Sequence, residues 1–241
     1  MNSRIKLSAR AAMSGSHIKI VPVVAAIMIL FCLFSACNAA INRLPADVEN
    51  SLLAAIAALT LLLAVVSIAP LRLLLQIRLL MLARGITPVM KPRIGLSGAL
   101  KACELCVRLF FIKLFWFAVF EAVPVTAGLM FVYHNMKNAV SLKAAYTVLI
   151  GLSALAAAGL IFYFLFTQRY SKSMFYLACY KDFTAEDAIK ESVRKTQNKL
   201  ADILFFKVSF MPWMLLCIGI LPALYVVPYY KQSVTCLFLS R

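Results

Sequence analysis

Five long apolar runs decide the medium in which this chain folds. Each can cross a bilayer, because a helical span needs roughly 20 apolar residues at about 1.5 Å per residue. The runs are Ile20–Ile41, Ser51–Leu71, Leu109–Tyr133, Ala144–Gln168 and Val208–Tyr230, and Lys113 and Glu121 are the only charges inside them. The composition agrees: 63% of the residues are hydrophobic and 14% charged, against an apolar share of about 45–50% in soluble domains. The expectation is an all-α, polytopic helical membrane protein with about five transmembrane helices, residues 1–241 forming one domain. No Gly/Ser-rich linker or fixed-period repeat sets off a soluble catalytic domain.

A net charge of +16 invites a nucleic-acid reading, but its distribution points elsewhere. Nineteen of the 25 Lys and Arg fall in three segments: the stretch before Ile20, the stretch from Arg72 to Arg108, and the stretch from Arg169 to Lys207. The alternate segments are poor in basic residues, with Arg43 alone between the first two runs and Lys231 and Arg241 at the end. This is the retention of basic residues on the cytoplasmic side. It predicts a cytoplasmic N-terminus, an outer C-terminus if there are five crossings, anionic lipid as a partner, and no role for nucleic acid.

The seven cysteines lie mostly in the apolar runs or the basic segments, so no disulfide framework is expected. Cys103-x-x-Cys106 is the only close pair, and a structural zinc needs four ligands; we expect neither metal nor cofactor. Leu33–Cys37 approximates a lipoprotein cleavage box. The basic stretch before it is long and the apolar run continues past Cys37, so an uncleaved first span is preferred.

Several polar and helix-breaking residues stand out. Glu121 sits about midway along the third run, where a carboxylate must be paired, protonated or turned into the bundle. Lys207, at the edge of the last run, is its candidate partner if that helix is kinked, and the two form the candidate intramembrane polar site. Pro124 lies one turn beyond Glu121, and Pro212, Gly219, Pro222 and Pro228 punctuate the last run, with Tyr229 at its interfacial end. Broken helices of this kind line transporter sites. The fourth run carries a small-residue surface, Gly151 to Gly159, suited to close helix packing. Pro70 interrupts the second run, and the basic, leucine-rich stretch Leu71–Arg84 follows, either lying in the interface or extending the span until Gly85 ends it.

Thr184 with Asp187 matches a capping box. It starts an amphipathic cytoplasmic helix over about 184–199, with Ala185, Ala188, Ile189, Ser192, Val193 and Thr196 on its weakly apolar face and Glu186–Lys190 and Glu191–Lys195 as i,i+4 pairs. That face is expected to dock under the bundle or to meet a protein partner at the cytoplasmic side.

The strings Tyr170-Ser171-x-Ser173-x-Phe175-Tyr176-Leu177-Ala178-x-Tyr180-Lys181-Asp182, Ala185-x-Asp187-Ala188-Ile189-Lys190-x-Ser192, Ser209-Phe210-x-x-Trp213 and Leu224-Tyr225-x-x-Pro228-Tyr229 together resemble an uncharacterised family of bacterial multi-pass membrane proteins, a domain of unknown function common in Firmicutes. The likeness covers roughly residues 51–235 and departs at Pro212. It is more distantly similar to the membrane domains of some glycerophosphodiester phosphodiesterases. The resemblance implies a helical fold in the bacterial cytoplasmic membrane and carries no catalytic residue. The expected function is therefore that of a non-catalytic scaffold or accessory factor acting through lipid and protein contacts. The alternative is a small transporter or channel component that uses Glu121 and the proline-broken last run.

Overall fold

The computed structural model describes residues 2–14, 17–41, 50–86, 94–137, 142–180, 182–215, 217 and 220–240, and these are helical throughout apart from short turns. Of the positions named above, Arg43, Lys181, Gly219 and Arg241 lie outside the described residues. The helices are α1 (Asn2–Met13), α2 (His17–Ile41), α3 (Asn50–Ala83), α4 (Leu96–Lys137), α5 (Leu142–Thr167), α6 (Ser173–Cys179), α7 (Ala185–Thr196), α8 (Leu200–Val208), α9 (Met211–Leu215) and α10 (Ile220–Leu239), with a 3₁₀ turn at Gln168–Tyr170 between α5 and α6. Among the described residues three helices are long and apolar enough to cross a membrane: Ile20–Ile41, Ala54–Ala83, and a stretch from Tyr146 through Cys179.

The architecture divides into two apolar hairpins and a packed base. α2 pairs with α3, and α4 pairs with α5. The outer faces of these pairs carry exposed Phe31, Leu33, Leu61, Leu62, Phe115, Val123, Leu129, Ile150, Ile161 and Phe164. Apolar exposure on this scale marks a membrane or partner surface. The base is a continuous core to which α1 gives Ile5, α3 gives Leu73 and Leu80, α4 gives Ala102 and Leu105, α6 gives Phe175, α7 gives Ala185 and Ala188, α8 gives Ile203 and Phe206, and α10 gives Leu237 and Phe238.

α3 and α4 carry the hairpins into the base. At 34 residues and about 1.5 Å per residue, α3 is about 50 Å long, well beyond a hydrocarbon core of about 30 Å. It runs unbroken through Pro70, so Leu71–Arg84 extends the second run and does not form a separate interfacial helix. Gly85 ends it at φ +72. The Gly85 amide donates to the Leu82 carbonyl (3.1 Å) and the Ile86 amide to that of Met81 (3.0 Å), a Schellman closure that uses glycine's tolerance of left-handed backbone.

The basic stretch before Ile20, read from sequence only as a charged tail, contains α1. Ile5, Ala9 and Met13 recur every four residues and are buried, and the helix packs along α10 and α3. Tyr229 of α10 donates its hydroxyl to the Lys6 carbonyl (3.4 Å).

α7 forms as its sequence indicates. The Thr184–Asp187 capping box is closed in both directions, and Ala185, Ala188, Ser192 and Thr196 are buried. The Thr184 hydroxyl and amide hold Asp187 below its ordinary 3.8. A depressed carboxylate of this kind supports the fold above its ordinary value, and that support is lost as pH falls through the lower one. Glu186–Lys190 is paired at 2.6 Å, but Glu191 binds Arg194 at 2.9 Å and not Lys195. Ser192 and Thr196 do more than fill space. Ser192 donates to the Arg169 carbonyl (2.7 Å) and accepts from the Lys172 amide (3.1 Å), and the Thr196 hydroxyl lies 3.0 Å from the same carbonyl. Two small polar side chains thus fasten α7 to the turn that leaves α5.

The last apolar run is not one helix. It is divided among the end of α8, α9 and α10. Phe210 at its start packs against Tyr229 and Tyr230 at its end, with ring centroids 5.7 and 5.4 Å apart. The chain therefore leaves the base and comes back to it. The outward leg of α10, Ile220 to Tyr229, is about 15 Å long, roughly half of a hydrocarbon core. The prolines sit at helix starts: Pro212 and Pro222 lack an amide proton in the first turns of α9 and α10, where no intrahelical acceptor needs it. The C-terminal end of α10 then shares the base core with α1 and α7, so both described ends of the chain lie in the base. A reporter fused after Arg241 is expected on the same side of the membrane as one inserted at Lys195; protease protection in right-side-out and inverted vesicles checks this.

Candidate functional site

Where the base gives way to the hairpins, the helices leave a cavity of about 1150 Å³. α2 supplies Val24, Ile27 and Met28 to its wall, α3 supplies Ala58 to Val66, and α4 supplies Val107, Phe110 and Phe111. Leu61, Leu62, Val66, Phe110 and Phe111 also stand on exposed faces, so the apolar wall is continuous with the outer surface of the hairpins.

Four cations line the same cavity: Arg72 of α3, Lys113 of α4, Lys207 of α8 and Lys231 of α10. Each is placed by the base core beside it. Arg72 precedes buried Leu73, Lys207 follows buried Phe206, Lys113 stands two turns beyond buried Leu105, and Lys231 lies among Tyr230, Gln232 and Ser233 on a helix held by Leu237. None of the four has an ion pair among the described residues. The cavity's one carboxylate, Glu104, is engaged by Arg108 at 2.8 Å. Lys207 donates to Gln168 Oε1. Burial, then the ammonium groups of Lys231 and Lys113, push Lys207 from an ordinary 10.5 down to about 8. Stability therefore rises with pH between about 8 and 10.5, because the unfolded chain binds the proton there more readily than the fold does. Gln76, which donates to Thr235 (3.0 Å), Tyr170, Tyr230 and Ser171 complete the polar floor, and Ser171 Oγ is buried without a hydrogen-bond partner.

A second cavity of about 540 Å³ adjoins the first, sharing Leu61, Val65, Arg72 and Cys106. It continues between α2 and α3 past Ile68, Ala64 and Thr60 to Phe31, Phe34 and Asn38.

The residues singled out from sequence are distributed differently from the expectation. Glu121 and Lys207 are not brought together: Lys207 lines the cavity, while Glu121 lies in the contact between α4 and α5. There Glu121 is 7% exposed, and its Oε1 has no hydrogen-bond partner. Gly159 makes room for it, since a Cβ at that glycine would lie 2.9 Å from Glu121 Oε1 and 2.9 Å from the Phe120 carbonyl oxygen. An aromatic stack closes the contact on the base side, with Trp116 4.9 Å from Phe166 and 5.8 Å from Phe120; the Trp116 indole donates to Tyr170 (3.2 Å). Pro124 and Pro228 are buried, Pro212 and Pro222 are exposed, and Tyr229 ties α10 to α1. Cys103 and Cys106 line the cavity as free thiols. Of the small-residue surface on α5, Gly159 is in close contact while Gly151 faces open space.

Sequence reasoning named Arg72, Lys113 and Lys231 but did not join them. Arg72 opens the basic stretch after the second run, Lys113 is one of two charges inside the third, and Lys231 falls in the basic-poor segment at the end. The return of α10 to the base, invisible in a hydropathy profile, is what brings Lys231 to the others.

Comparison of the chain with protein-family models, with curated proteins and with solved structures returns no match.

Gly159→Ala is expected to destabilise the fold by about 1–3 kcal/mol, because the Phe120 carbonyl is backbone and cannot swing aside. Gly151→Ala, in open space, is expected to be neutral or stabilising by up to about 1 kcal/mol. Thermal unfolding of the two variants in detergent checks the contrast.

Proposed function

We propose that this chain is an integral protein of the bacterial cytoplasmic membrane that acts without catalysis, as a scaffold or accessory factor. α2, α3, α4 and α5 cross the bilayer, the last apolar segment re-enters from the cytoplasmic side, and the base, with both chain ends, faces the cytoplasm. The observation that carries this reading is the division into exposed apolar hairpins and a base whose hydrogen bonds and ion pairs fasten helices to each other. The link from Glu104 through Arg108 to Glu186, at 2.8 and 3.3 Å, and the Ser192–Arg169 clamp are joints of this kind. The exposed polar face of α7 is the surface offered to a protein partner. Two results together test the reading: the protein stays in the membrane pellet after alkaline extraction, and in a cysteine-free background Tyr133→Cys reacts with an impermeant maleimide from outside while Lys195→Cys reacts from inside. Release into the supernatant, or labelling of Lys195→Cys from outside, overturns it.

One observation favours a second reading, a small transporter or channel component. Glu121 is a buried carboxyl with an unpartnered oxygen within an apolar hairpin, and such groups mark ion or proton paths. In the first reading the carboxyl is a packing group against Gly159. The wild type and Glu121→Gln are then expected to show the same background proton flux in liposomes. A flux that the wild type carries and Glu121→Gln lacks transfers preference to transport.

A further inference from the structure

We infer that the cationic cavity is a binding site for one anionic phospholipid, with the lipid phosphate among Arg72, Lys113, Lys207 and Lys231 and an acyl chain lying along α3. The inference rests on the membrane reading above and gives that site its ligand class.

Charge is the first argument. Four cations from four helices face one cavity, and the single carboxylate there is already engaged by Arg108. Like charges gathered at the edge of an apolar region repel. A phosphate diester relieves that cost, because it brings negative charge and several acceptor oxygens that match guanidinium and ammonium donors. The unpartnered Ser171 hydroxyl offers a further donor at the same floor.

Shape is the second. A free phosphate would need only the floor, yet most of the lining is apolar and leads away from the cations. Along α3 the two cavities run from Arg72 to Ala57. That length of helix spans about 22 Å, more than one leaflet's share of a hydrocarbon core of about 30 Å. Val65, Leu61 and Phe34 border this path. The cations stand where the base meets the hairpins, the level at which lipid phosphates lie, and basic pockets between helices on the cytoplasmic side are recognised lipid-headgroup sites.

The test uses the full chain purified in neutral detergent and native mass spectrometry, with dipalmitoyl phosphatidylglycerol, dipalmitoyl phosphatidylcholine and sn-glycerol 3-phosphate as separate probes. The expected result is one retained phosphatidylglycerol per chain, at least tenfold preferred over phosphatidylcholine, with glycerol phosphate failing to displace it at a hundredfold excess. Lys113→Gln/Lys231→Gln is expected to lose that retention at least tenfold. Lys190→Gln/Lys195→Gln, which removes the same charge from exposed α7, is expected to keep it. Val65→Trp, which fills the chain path and leaves the cations in place, is expected to weaken phosphatidylglycerol without changing the response to glycerol phosphate, and serves if the double lysine variant does not fold. Equal retention of the two phospholipids, or equal losses in the two lysine pairs, overturns the site while leaving the membrane reading intact. Displacement by glycerol phosphate alone overturns the lipid as occupant and makes the cavity a free-anion site. Failure of the membrane reading itself shows separately, in the alkaline extraction.

Discussion

Pro70 has no amide proton to give the Val66 carbonyl, and its ring crowds the preceding turn, yet α3 continues straight through it for another 13 residues. The helix is held on both sides of the defect, by Ala69 and Leu73, both buried in the base core. The rest of the structure hangs on that continuity. α3 carries the first hairpin at one end and meets α1, α4, α6 and α10 at the other. Had Pro70 ended the helix, Arg72 would lie in the interface and the hairpin would have no fixed relation to the base. Because it does not, Arg72 is fixed at the junction, and the cavity has a rigid wall.

The long helices and the α7 capping box were legible in the sequence, for a common reason. Hydropathy over 20 residues, a capping pair three residues apart, and small residues at helical spacing are local signals, and local physics decides them. What escaped depends on contacts distant in sequence. α1 was hidden because three apolar residues among Arg4, Lys6 and Arg10 look like a charged tail until α10 is there to cover them. The return of the last apolar run was hidden because its hydropathy equals that of a crossing span. Only the packing of Phe210 on Tyr229 and Tyr230 separates the two paths. Its four helix breakers were the local hint, since a run that must satisfy its backbone in lipid tolerates such residues only where protein or water covers them.

The two polar features of the apolar region are handled in opposite ways, and the difference is instructive about function. Glu121 is matched by the absence of a side chain at Gly159. The site accommodates its volume and leaves its Oε1 without a hydrogen-bond partner. The cations of the cavity keep accessible surface: Arg72, Lys113 and Lys231 are exposed and Lys207 is half-buried, although protein surrounds them. Glu121 is buried between two helices, whereas the four cations open on the cavity.

The same geometry links the cavity to α7. Lys207 sits on α8, reached by bonding to Gln168 in the 3₁₀ turn, and the carbonyl of the next residue, Arg169, is the acceptor for Ser192 of α7. α10 brings Lys231 and continues to Phe238, whose ring lies 5.0 Å from Lys172 Nζ beside that turn. Two of the four cations thus stand on elements whose other contacts fasten α7. An anion drawing Lys207 and Lys231 together would act on α8 and α10, and through the turn at Arg169 on the seating of α7. The cavity and α7 are thus joined at two places, through Ser192 and Thr196 at the Arg169 carbonyl and through Arg108 between Glu104 and Glu186.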